Sequence, residues 1–322
     1  MGHIIDKVMS LFFERYKKRM LIQVANKPKK EIITGWWKRS IKEGLEKNCR
    51  RKNAVFAFRM VHWADFLYAY PVHRKYRYTF DDLYNNEPYI PARKGALKTY
   101  NDSWKDAMLS SALGFIGSGI DKIRKRIGMD KLSDWLLEKK LKDLAFYYDE
   151  KRFIYSREGK KGRTKDILRN ELKKEILAEK GNQLMLIAHS MGTIIAYDVL
   201  RDIGRSGENL KVSHFVTIGS PLGFSPVKGK IIDERKYDRR VRTPSIVMKS
   251  WVNYADRLDP VAIDVTLRDE YKANDRGVRV RDDLVANDYQ SSGRNGKRNH
   301  HKSYGYLRTP ELSEHIKKFL GL

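Results

Sequence analysis

The sequence predicts an α/β protein in which a mostly parallel sheet is covered by helices on both faces. Three observations predict this class. Short apolar runs of strand length alternate along the chain with segments of helical periodicity, and such alternation is typical of parallel sheets. The hydrophobic content of 41% is enough for a buried core. The length of 322 residues suits one such domain with an insertion, so we expect residues 1–322 to form a single domain.

The predicted elements follow one another in a regular order. The strands are apolar runs at 20–25, 54–61, 183–188, 212–218 and 245–252. The helices lie at 30–47, 131–148, 164–180, 193–203 and 310–322. Before the first strand, apolar residues recur at helical spacing and predict an amphipathic helix that docks on the core or, as the weaker alternative, on a membrane surface. These residues are Ile4, Ile5, Val8, Leu11, Phe12 and Tyr16.

Residues 66–144 interrupt the alternation of strands and helices. The segment is rich in Tyr and charged residues and contains Pro71, Pro88 and Pro91. We interpret it as a cap or lid inserted into the domain. Its apolar stretch 110–120 contains three glycines, which suits either a mobile flap over a site or a loop packed against the core.

The charge of the chain bears on its partners. Lys and Arg number 66 against 40 Asp and Glu, a formal net charge of +26, and such an excess favours polyanions, among them anionic lipid headgroups. The basic residues are spread over predicted loops without the motif spacing of nucleic-acid-binding proteins, so the sequence does not favour a nucleic-acid role.

Location and redox state are predicted from composition and from the absence of sorting signals. The single cysteine, Cys49, excludes an internal disulfide framework and fits a reducing compartment. No apolar run approaches the ~20 residues that span a bilayer, and the first eighteen residues lack the pattern of a secretory signal. We expect a cytoplasmic protein, with a peripheral position at a membrane surface as the alternative.

The most informative motif is Ala188-His189-Ser190-Met191-Gly192, where an apolar run ends and a helical segment begins at once. A serine on a sharp strand-to-helix turn projects its hydroxyl, and small neighbours let the two elements approach closely. The motif therefore predicts a nucleophile elbow with Ser190 as nucleophile and the Met191 N–H as one oxyanion donor. Ala188 stands where the general pattern has glycine. The alternative is that Ser190 only caps the helix.

Two acidic residues, Asp256 and Asp259, follow the predicted strand 245–252. A carboxylate at the carboxyl end of a parallel strand can reach across to orient an imidazole. We favour Asp259 as the acid because Pro260 makes its loop rigid. Asp256 is the alternative, or a turn residue that supports the site.

Two adjacent histidines, His300 and His301, come after the acid and before the last helix, as the chain order serine, acid, histidine requires. We favour His301 as the base because it leads directly into the segment 302–306, and His300 is the alternative. His315 also follows the acid, but it lies within a predicted helix.

The remaining predicted site residues surround the elbow. The turn after strand 212–218 contains Ser220, Pro221 and Leu222, and we expect it to line a pocket together with His189. Ser220 would offer a second hydroxyl there, unless the segment is a plain tight turn. No cluster of carboxylates or cysteines predicts a metal site, and nothing in the sequence indicates a cofactor.

With these motifs in this order, the chain resembles the α/β-hydrolase superfamily, in particular its microbial lipase- and esterase-like members. The resemblance extends from about residue 20 to the C-terminus and implies an α/β-hydrolase fold. Such proteins carry a His-Gly-x-Gly-Asn stretch that supplies a second oxyanion N–H. The equivalent stretch here, 22–28, lacks the histidine and both glycines, which leaves Gln23 or Val24 as the donor. This departure implies an enzyme that is slow, specialised or inactive.

The resemblance implies a serine hydrolase that cleaves small-molecule or lipid carboxylic esters through an acyl-enzyme. The positive charge adds an anionic membrane surface as a partner. Two alternatives stay open: an acyltransferase that uses the same triad, and a catalytically weak or inactive binding protein of the same fold. The sequence is silent on the oligomeric state.

Overall fold

The computed structural model describes residues 8–10, 18–23, 30–62, 66, 89–93, 97–103, 105, 142–234, 241–262, 264–291 and 298–322. The strands are β1 (Val8–Ser10), β2 (Lys18–Gln23), β3 (Phe58–Met60), β4 (Phe153–Tyr155), β5 (Lys161–Arg163), β6 (Gln183–His189), β7 (Val212–Ile218), β8 (Val247–Ala255) and β9 (Val280–Leu284). The helices are α1 (Lys30–Cys49), α2 (Lys142–Tyr148), α3 (Thr164–Leu177), α4 (Met191–Arg205), α5 (Ser225–Asp233), α6 (Ser303–Leu307) and α7 (Pro310–Leu320).

The central sheet has the order β1-β3-β2-β6-β7-β8-β9, and every pairing from β3 to β9 is parallel. Parallel strands put all their carboxyl ends at one edge, so the loops after β6, β7 and β8 meet there. The predicted α/β class with a mostly parallel, helix-covered sheet is confirmed.

The two faces of the sheet bury alternate residues of each strand. In β6, Leu184 and Leu186 pack into a core layer with α2, α3, α4 and α5. Met185 and Ile187 point the other way, into a second layer with α1, α6 and α7. Because β6 is covered on both faces, it has the continuous apolar sequence of a buried parallel strand.

The N-terminal segment differs from the prediction. Val8–Ser10, which we expected inside an amphipathic helix, is a strand that pairs antiparallel with both β2 and β3. The helix prediction is wrong at these residues, because the backbone hydrogen-bonding groups at the edge of the sheet outweigh a local apolar periodicity. Residues 1–7 and 11–17 lie outside the described part.

The other boundaries vary around the predicted ones. Strand 212–218 matches β7, and the helix at 310–322 matches α7, which ends at a left-handed Gly321. The strand expected at 54–61 is shorter, and only Phe58–Met60 pair. Helix α2 covers the end of the segment 131–148, and residues 131–141 lie outside the described part.

Most of the predicted cap, 66–144, lies outside the described residues, including the stretch 110–120. One described piece, 89–93, is held against the core. The Ala92 N–H donates to the carboxylate of Glu43 in α1 at 2.9 Å, and the Ile90 carbonyl accepts from Arg308 at 3.0 Å. At least this part of the insertion therefore packs on α1 and on the loop before α7.

Among the described residues, no helix is long and apolar enough to cross a bilayer.

A buried ionic cluster holds the helices around α4 together. Asp198 of α4 is 1% exposed and contacts Arg169 of α3, and the Tyr147 hydroxyl of α2 donates to it at 2.7 Å. Glu234, just after α5, accepts from Arg169 at 3.0 Å and from Arg201 at 3.2 Å. Burial raises the pKa of Asp198, and the Arg169 guanidinium opposes that shift. Since a buried charge is costly without partners, these contacts fix how four helices pack.

Candidate active site

Ser190 occupies a strained turn between β6 and α4. Its backbone has φ 55° and ψ −136°, a conformation that a residue with a side chain rarely adopts. Such strain costs on the order of 1–3 kcal/mol and persists only when the surroundings enforce it. Here the Ser190 N–H donates to the Ile218 carbonyl at 3.2 Å, and Thr193 donates to the Ser190 carbonyl through its N–H and its hydroxyl. These bonds hold the turn in which the serine side chain leaves the backbone.

Ser190, His301 and Asp259 form a continuous chain of hydrogen bonds. His301 Nε2 lies 3.0 Å from Ser190 Oγ, and His301 Nδ1 lies 2.9 Å and 3.0 Å from the two carboxylate oxygens of Asp259. The three residues come from the carboxyl ends of β6 and β8 and from the loop before α6. Of the candidate acids and bases, the structure links Asp259 and His301 to Ser190.

The Asp259 carboxylate is held by two further donors. The Val261 N–H donates to Oδ1 at 2.8 Å, and the Tyr306 hydroxyl donates to Oδ2 at 2.7 Å. Burial and the neighbouring Asp259 raise the pKa of Tyr306 well above its usual value, so its hydroxyl keeps its proton at neutral pH. Each oxygen of the Asp259 carboxylate thus accepts a hydrogen bond from a group other than His301. Because a carboxylate only accepts hydrogen bonds, the imidazole that contacts it must present an N–H at Nδ1.

Asp256 and His300, the alternative candidates, form a second pair beside the first. His300 Nδ1 lies 3.1 Å from Asp256 Oδ2, which also accepts the Asn287 N–H at 2.7 Å. Asp256 Oδ1 accepts the Leu258 N–H at 2.7 Å. These bonds tie the loop that carries Asp259 to the loop that carries His301. Asp256 therefore braces the two loops.

Two residues that lie against Asp259, Tyr306 and Gly219, were not predicted as site residues from the sequence. Tyr306 bridges the loops, because its hydroxyl accepts the Asp256 N–H at 3.0 Å while it donates to Asp259. Gly219 has φ +53°, and a Cβ built on it would lie 2.8 Å from Asp259 Oδ2 and 3.3 Å from His301 Nδ1. The sequence signals were the Tyr in the segment 302–306 and the glycine in the turn after β7, but neither indicates a contact across the fold.

The predicted pocket residues are buried around the elbow. His189 Nε2 lies 2.8 Å from the His301 carbonyl, and the centroids of the two imidazole rings are 4.5 Å apart, so His189 packs directly against His301. The Ser220 hydroxyl contacts the Thr193 hydroxyl at 2.8 Å and accepts the Leu222 N–H at 3.2 Å. The Ser220 hydroxyl thus stabilises its own turn. The turn, with Pro221 and Leu222, is buried, and a role in lining a pocket stays a prediction for all four residues.

The predicted oxyanion donors are partly described. Met191 is the first residue of α4, directly after Ser190. Gln23 ends β2 and pairs with Ala188 in β6, which places its backbone beside the elbow. Val24 lies outside the described residues. The geometry thus brings the end of β2 to the edge where a second donor is required.

The arrangement is suited to nucleophilic catalysis by Ser190. An imidazole held by a carboxylate at Nδ1 can take the proton of a serine hydroxyl at Nε2. Ser190 and His301 are 0% exposed and Asp259 is 1% exposed, so their hydrogen bonds lie in a medium of low dielectric, which strengthens them. In the described part of the chain, no group of three or more His, Cys, Asp or Glu could hold a metal ion.

A comparison with protein families supports the fold. The family model described as LCAT, lecithin:cholesterol acyltransferase, matches residues 166–234. This segment runs from α3 through the elbow to the residue after α5, and it contains Ser190 and Gly219 but neither Asp259 nor His301. A search of the curated proteins finds no matching relative. The parallel sheet and the family match together support an α/β-hydrolase fold for this chain.

Proposed function

We propose that this protein is a serine enzyme that breaks carboxylic esters through a Ser190–His301–Asp259 triad. The observation that carries the proposal is the unbroken hydrogen-bond chain from Ser190 Oγ to Asp259, built on a strained elbow. The family match, which is to a lipid acyltransferase by name, supports an acyl-transferring or hydrolysing enzyme of lipid esters at family level. A closer likeness to microbial esterases stays a prediction.

The proposed reaction has two steps. In the first, Ser190 Oγ bonds to the ester carbonyl carbon while its proton passes to His301 Nε2. The tetrahedral intermediate then collapses, the C–O bond to the alcohol breaks, and His301 returns the proton to the leaving alkoxide. In the second step, water attacks the acyl carbon while His301 takes one of its protons. The bond from the acyl carbon to Ser190 Oγ then breaks, His301 returns the proton to Ser190 Oγ, and the carboxylic acid leaves.

The neighbouring groups would stabilise the charges that develop. Asp259 keeps its hydrogen bond to His301 Nδ1 and stabilises the imidazolium. The Met191 N–H at the start of α4 would donate to the oxyanion, and the backbone of Gln23 or Val24 would supply the second donor. Because the stretch after β2 lacks glycine, we expect slower turnover than in hydrolases that have it, by about 10²–10³ if one donor is lost.

A second candidate function is transfer of the acyl group to an alcohol instead of water. Two observations favour it: the matched family is an acyltransferase by name, and Ser190 and His301 have no solvent-exposed surface. In that reaction His301 would take the proton of the acceptor hydroxyl, and an ester would leave in place of the acid.

We propose a cytoplasmic location, with an anionic membrane surface as partner.

The test is hydrolysis of p-nitrophenyl esters from acetyl to palmitoyl by the wild type and by Ser190→Ala. We expect the variant to lose about 10⁴-fold or more in kcat/KM, since it lacks the nucleophile. Addition of a long-chain alcohol would convert part of the acid product to ester if the enzyme is a transferase. A folded wild type that neither turns over esters nor reacts with a fluorophosphonate would overturn the proposal and favour the binding-protein alternative.

Two matched pairs of variants test the choice of acid and base. Asp259→Asn and His301→Gln should each lose roughly 10³–10⁴ in kcat, because the imidazole loses its orienting carboxylate or is absent. Asp256→Asn and His300→Gln make the same chemical changes in the second pair, and should lose less than about tenfold. The opposite ranking would assign catalysis to the second pair.

A further inference from the structure

The hairpin formed by β4 and β5 exposes two aromatic side chains beside two cationic ones. In β4, Ile154 is buried while Phe153 and Tyr155 are 51% and 61% exposed. The antiparallel register places Arg163 opposite Phe153 and Lys161 opposite Tyr155. Directly opposed residues project from the same face of a hairpin, so the four side chains share one outward surface. We call Phe153, Tyr155, Lys161 and Arg163 the aromatic–basic face.

The hairpin and its flanks carry a local excess of positive charge. Between residues 151 and 165 there are seven Lys or Arg and a single acidic residue, Glu158. Arg157 and Lys165 pair with Glu171 and Glu234. The others have no carboxylate partner within the part of the chain that the structure describes: Lys151, Arg152, Lys160, Lys161 and Arg163. Their charge is therefore available to an external anion.

The face lies at the same edge of the sheet as the candidate active site. Arg157, in the turn of the hairpin, donates to the His62 carbonyl at 2.6 Å, and His62 follows the carboxyl end of β3. Its guanidinium also stacks over Phe66, with 4.6 Å to the ring centroid. Since β3 and β6 run parallel to β2 between them, the carboxyl end of β3 is on the Ser190 edge. A surface bound here would face the edge at which substrate must enter.

We propose that the aromatic–basic face docks the protein on an anionic phospholipid surface. The proposal rests on the proposed lipid-ester function for its choice of lipid as the occupant. Phe and Tyr partition into the boundary between headgroups and acyl chains, and neighbouring Lys and Arg bind the anionic headgroups. The combination matches the four side chains of the face, and docking would bring Ser190 near a supply of lipid esters.

The local geometry favours lipid over single-stranded nucleic acid, the other polyanion that combines with aromatic and basic groups. Stacking of a base needs a free ring face, and the Lys161 ammonium, 5.7 Å from the Phe153 centroid, occupies one of the two faces of that ring. Beside the face is an open cavity of about 450 Å³ lined by Phe66 and residues 153–157, which contribute aromatic rings and polar groups. A recess that places aromatic rings beside an arginine suits the boundary between acyl chains and anionic headgroups.

The proposal is tested by sedimentation with vesicles of an equimolar mixture of phosphatidylglycerol and phosphatidylcholine. We expect Phe153→Ser/Tyr155→Ser and Lys161→Glu/Arg163→Glu each to weaken binding at least about tenfold. Vesicles of phosphatidylcholine alone should bind the wild type at least about tenfold more weakly than the anionic ones. Melting temperatures and far-ultraviolet circular dichroism would verify that each variant is folded.

Matched control variants are available elsewhere on the surface. Val55 is 58% exposed, and Val55→Ser removes an exposed apolar side chain outside the hairpin. Lys211 and Lys318 are exposed, and Lys211→Glu/Lys318→Glu makes the same change in net charge as the basic double variant. Both controls should bind vesicles within about twofold of the wild type. A loss in the charge control equal to that in Lys161→Glu/Arg163→Glu would overturn the proposal, because binding would then follow net charge alone.

Vesicle binding and ester hydrolysis, measured on the same variants, separate docking from catalysis. Ser190→Ala should sediment with vesicles like the wild type while it fails to hydrolyse a soluble p-nitrophenyl ester. Hairpin variants that bind vesicles like the wild type would overturn docking and leave the proposed function intact. Hairpin-dependent vesicle binding by a wild type that neither turns over esters nor reacts with a fluorophosphonate would support docking and overturn the function. If the hairpin variants lose affinity for a single-stranded homopolymeric RNA and keep vesicle binding, nucleic acid is the occupant and the lipid proposal is wrong.

Discussion

Substitution of Gly219 by alanine should damage the candidate site through one added methyl group. The residue has φ +53°, and the new Cβ would lie 2.8 Å from Asp259 Oδ2 and 3.2 Å from a ring carbon of Tyr306. The carboxylate cannot move freely, because Tyr306 and His301 both contact that oxygen. We therefore expect Asp259 to shift by some tenths of an ångström and to carry the imidazole of His301 away from Ser190.

The cost of this change has two parts. The left-handed backbone conformation costs an alanine roughly 1–2 kcal/mol. The contact with the carboxylate adds on the order of 1–2 kcal/mol, so the free energy of unfolding should fall by about 2–4 kcal/mol in total. Misplacement of a catalytic group by less than 1 Å lowers kcat by about 10- to 100-fold.

Gly277→Ala is the matched control for this prediction. Gly277 has φ +77°, and a Cβ built on it would meet no atom within 4 Å. It should therefore lose only the roughly 1–2 kcal/mol of backbone strain and keep ester hydrolysis within about twofold. The measurements are urea denaturation and p-nitrophenyl ester kinetics on both variants. A Gly219→Ala protein with the kcat of the wild type would refute the argument that this glycine makes room for the acid and base.

The remaining predictions concern a positioning residue, acid stability and helix packing. Tyr306→Phe removes one hydrogen-bond donor to the Asp259 carboxylate. It should lower kcat about tenfold with KM unchanged and lower the free energy of unfolding by about 2–3 kcal/mol. A rise of about tenfold in KM would contradict a positioning role for Tyr306. Burial lowers the pKa values of His214 in β7 and His315 in α7 to about 4. Below about pH 6.5 the unfolded chain therefore binds protons that the folded chain does not, and the two histidines together should lower the free energy of unfolding by about 3–4 kcal/mol between pH 7 and pH 5. Denaturation of His315→Gln should show a shallower fall over this range, and an unchanged slope would count against the pair. In α1, Gly44→Ala would place a Cβ 2.9 Å from the Arg308 backbone, whereas the Cβ of Gly35→Ala would meet nothing within 4 Å. Thermal melts should show that the free energy of unfolding falls by about 2 kcal/mol in Gly44→Ala and rises by about 0.5–1 kcal/mol in Gly35→Ala. Equal effects of the two substitutions would refute the close packing of α1 on α7.

Local patterns were sufficient for much of the fold. Strand β7 presents apolar residues to both faces of the sheet, Val212 and Phe215 to one core layer and Val216 and Ile218 to the other, and these residues predict 212–218 without any knowledge of neighbours. The short strand β1 was mispredicted, because pairing with β2 and β3 outweighs the helical spacing of its apolar residues. The pairing partners lie at least ten residues away in sequence, and no local pattern indicates them.

The sequence by itself determined the elbow, since small residues around Ser190 between an apolar run and a helix are a local property of the chain. It narrowed the acid to Asp256 or Asp259 and the base to His300 or His301, because chain order and strand ends are also local. Only the tertiary structure decided how these pair: adjacent histidines have the same chemistry, and the path of the loop directs one ring to Ser190 and the other to Asp256. The contacts of Tyr306 and Gly219 with Asp259 join residues about 40 or more positions apart, and such contacts exist only once the sheet brings its carboxyl ends together.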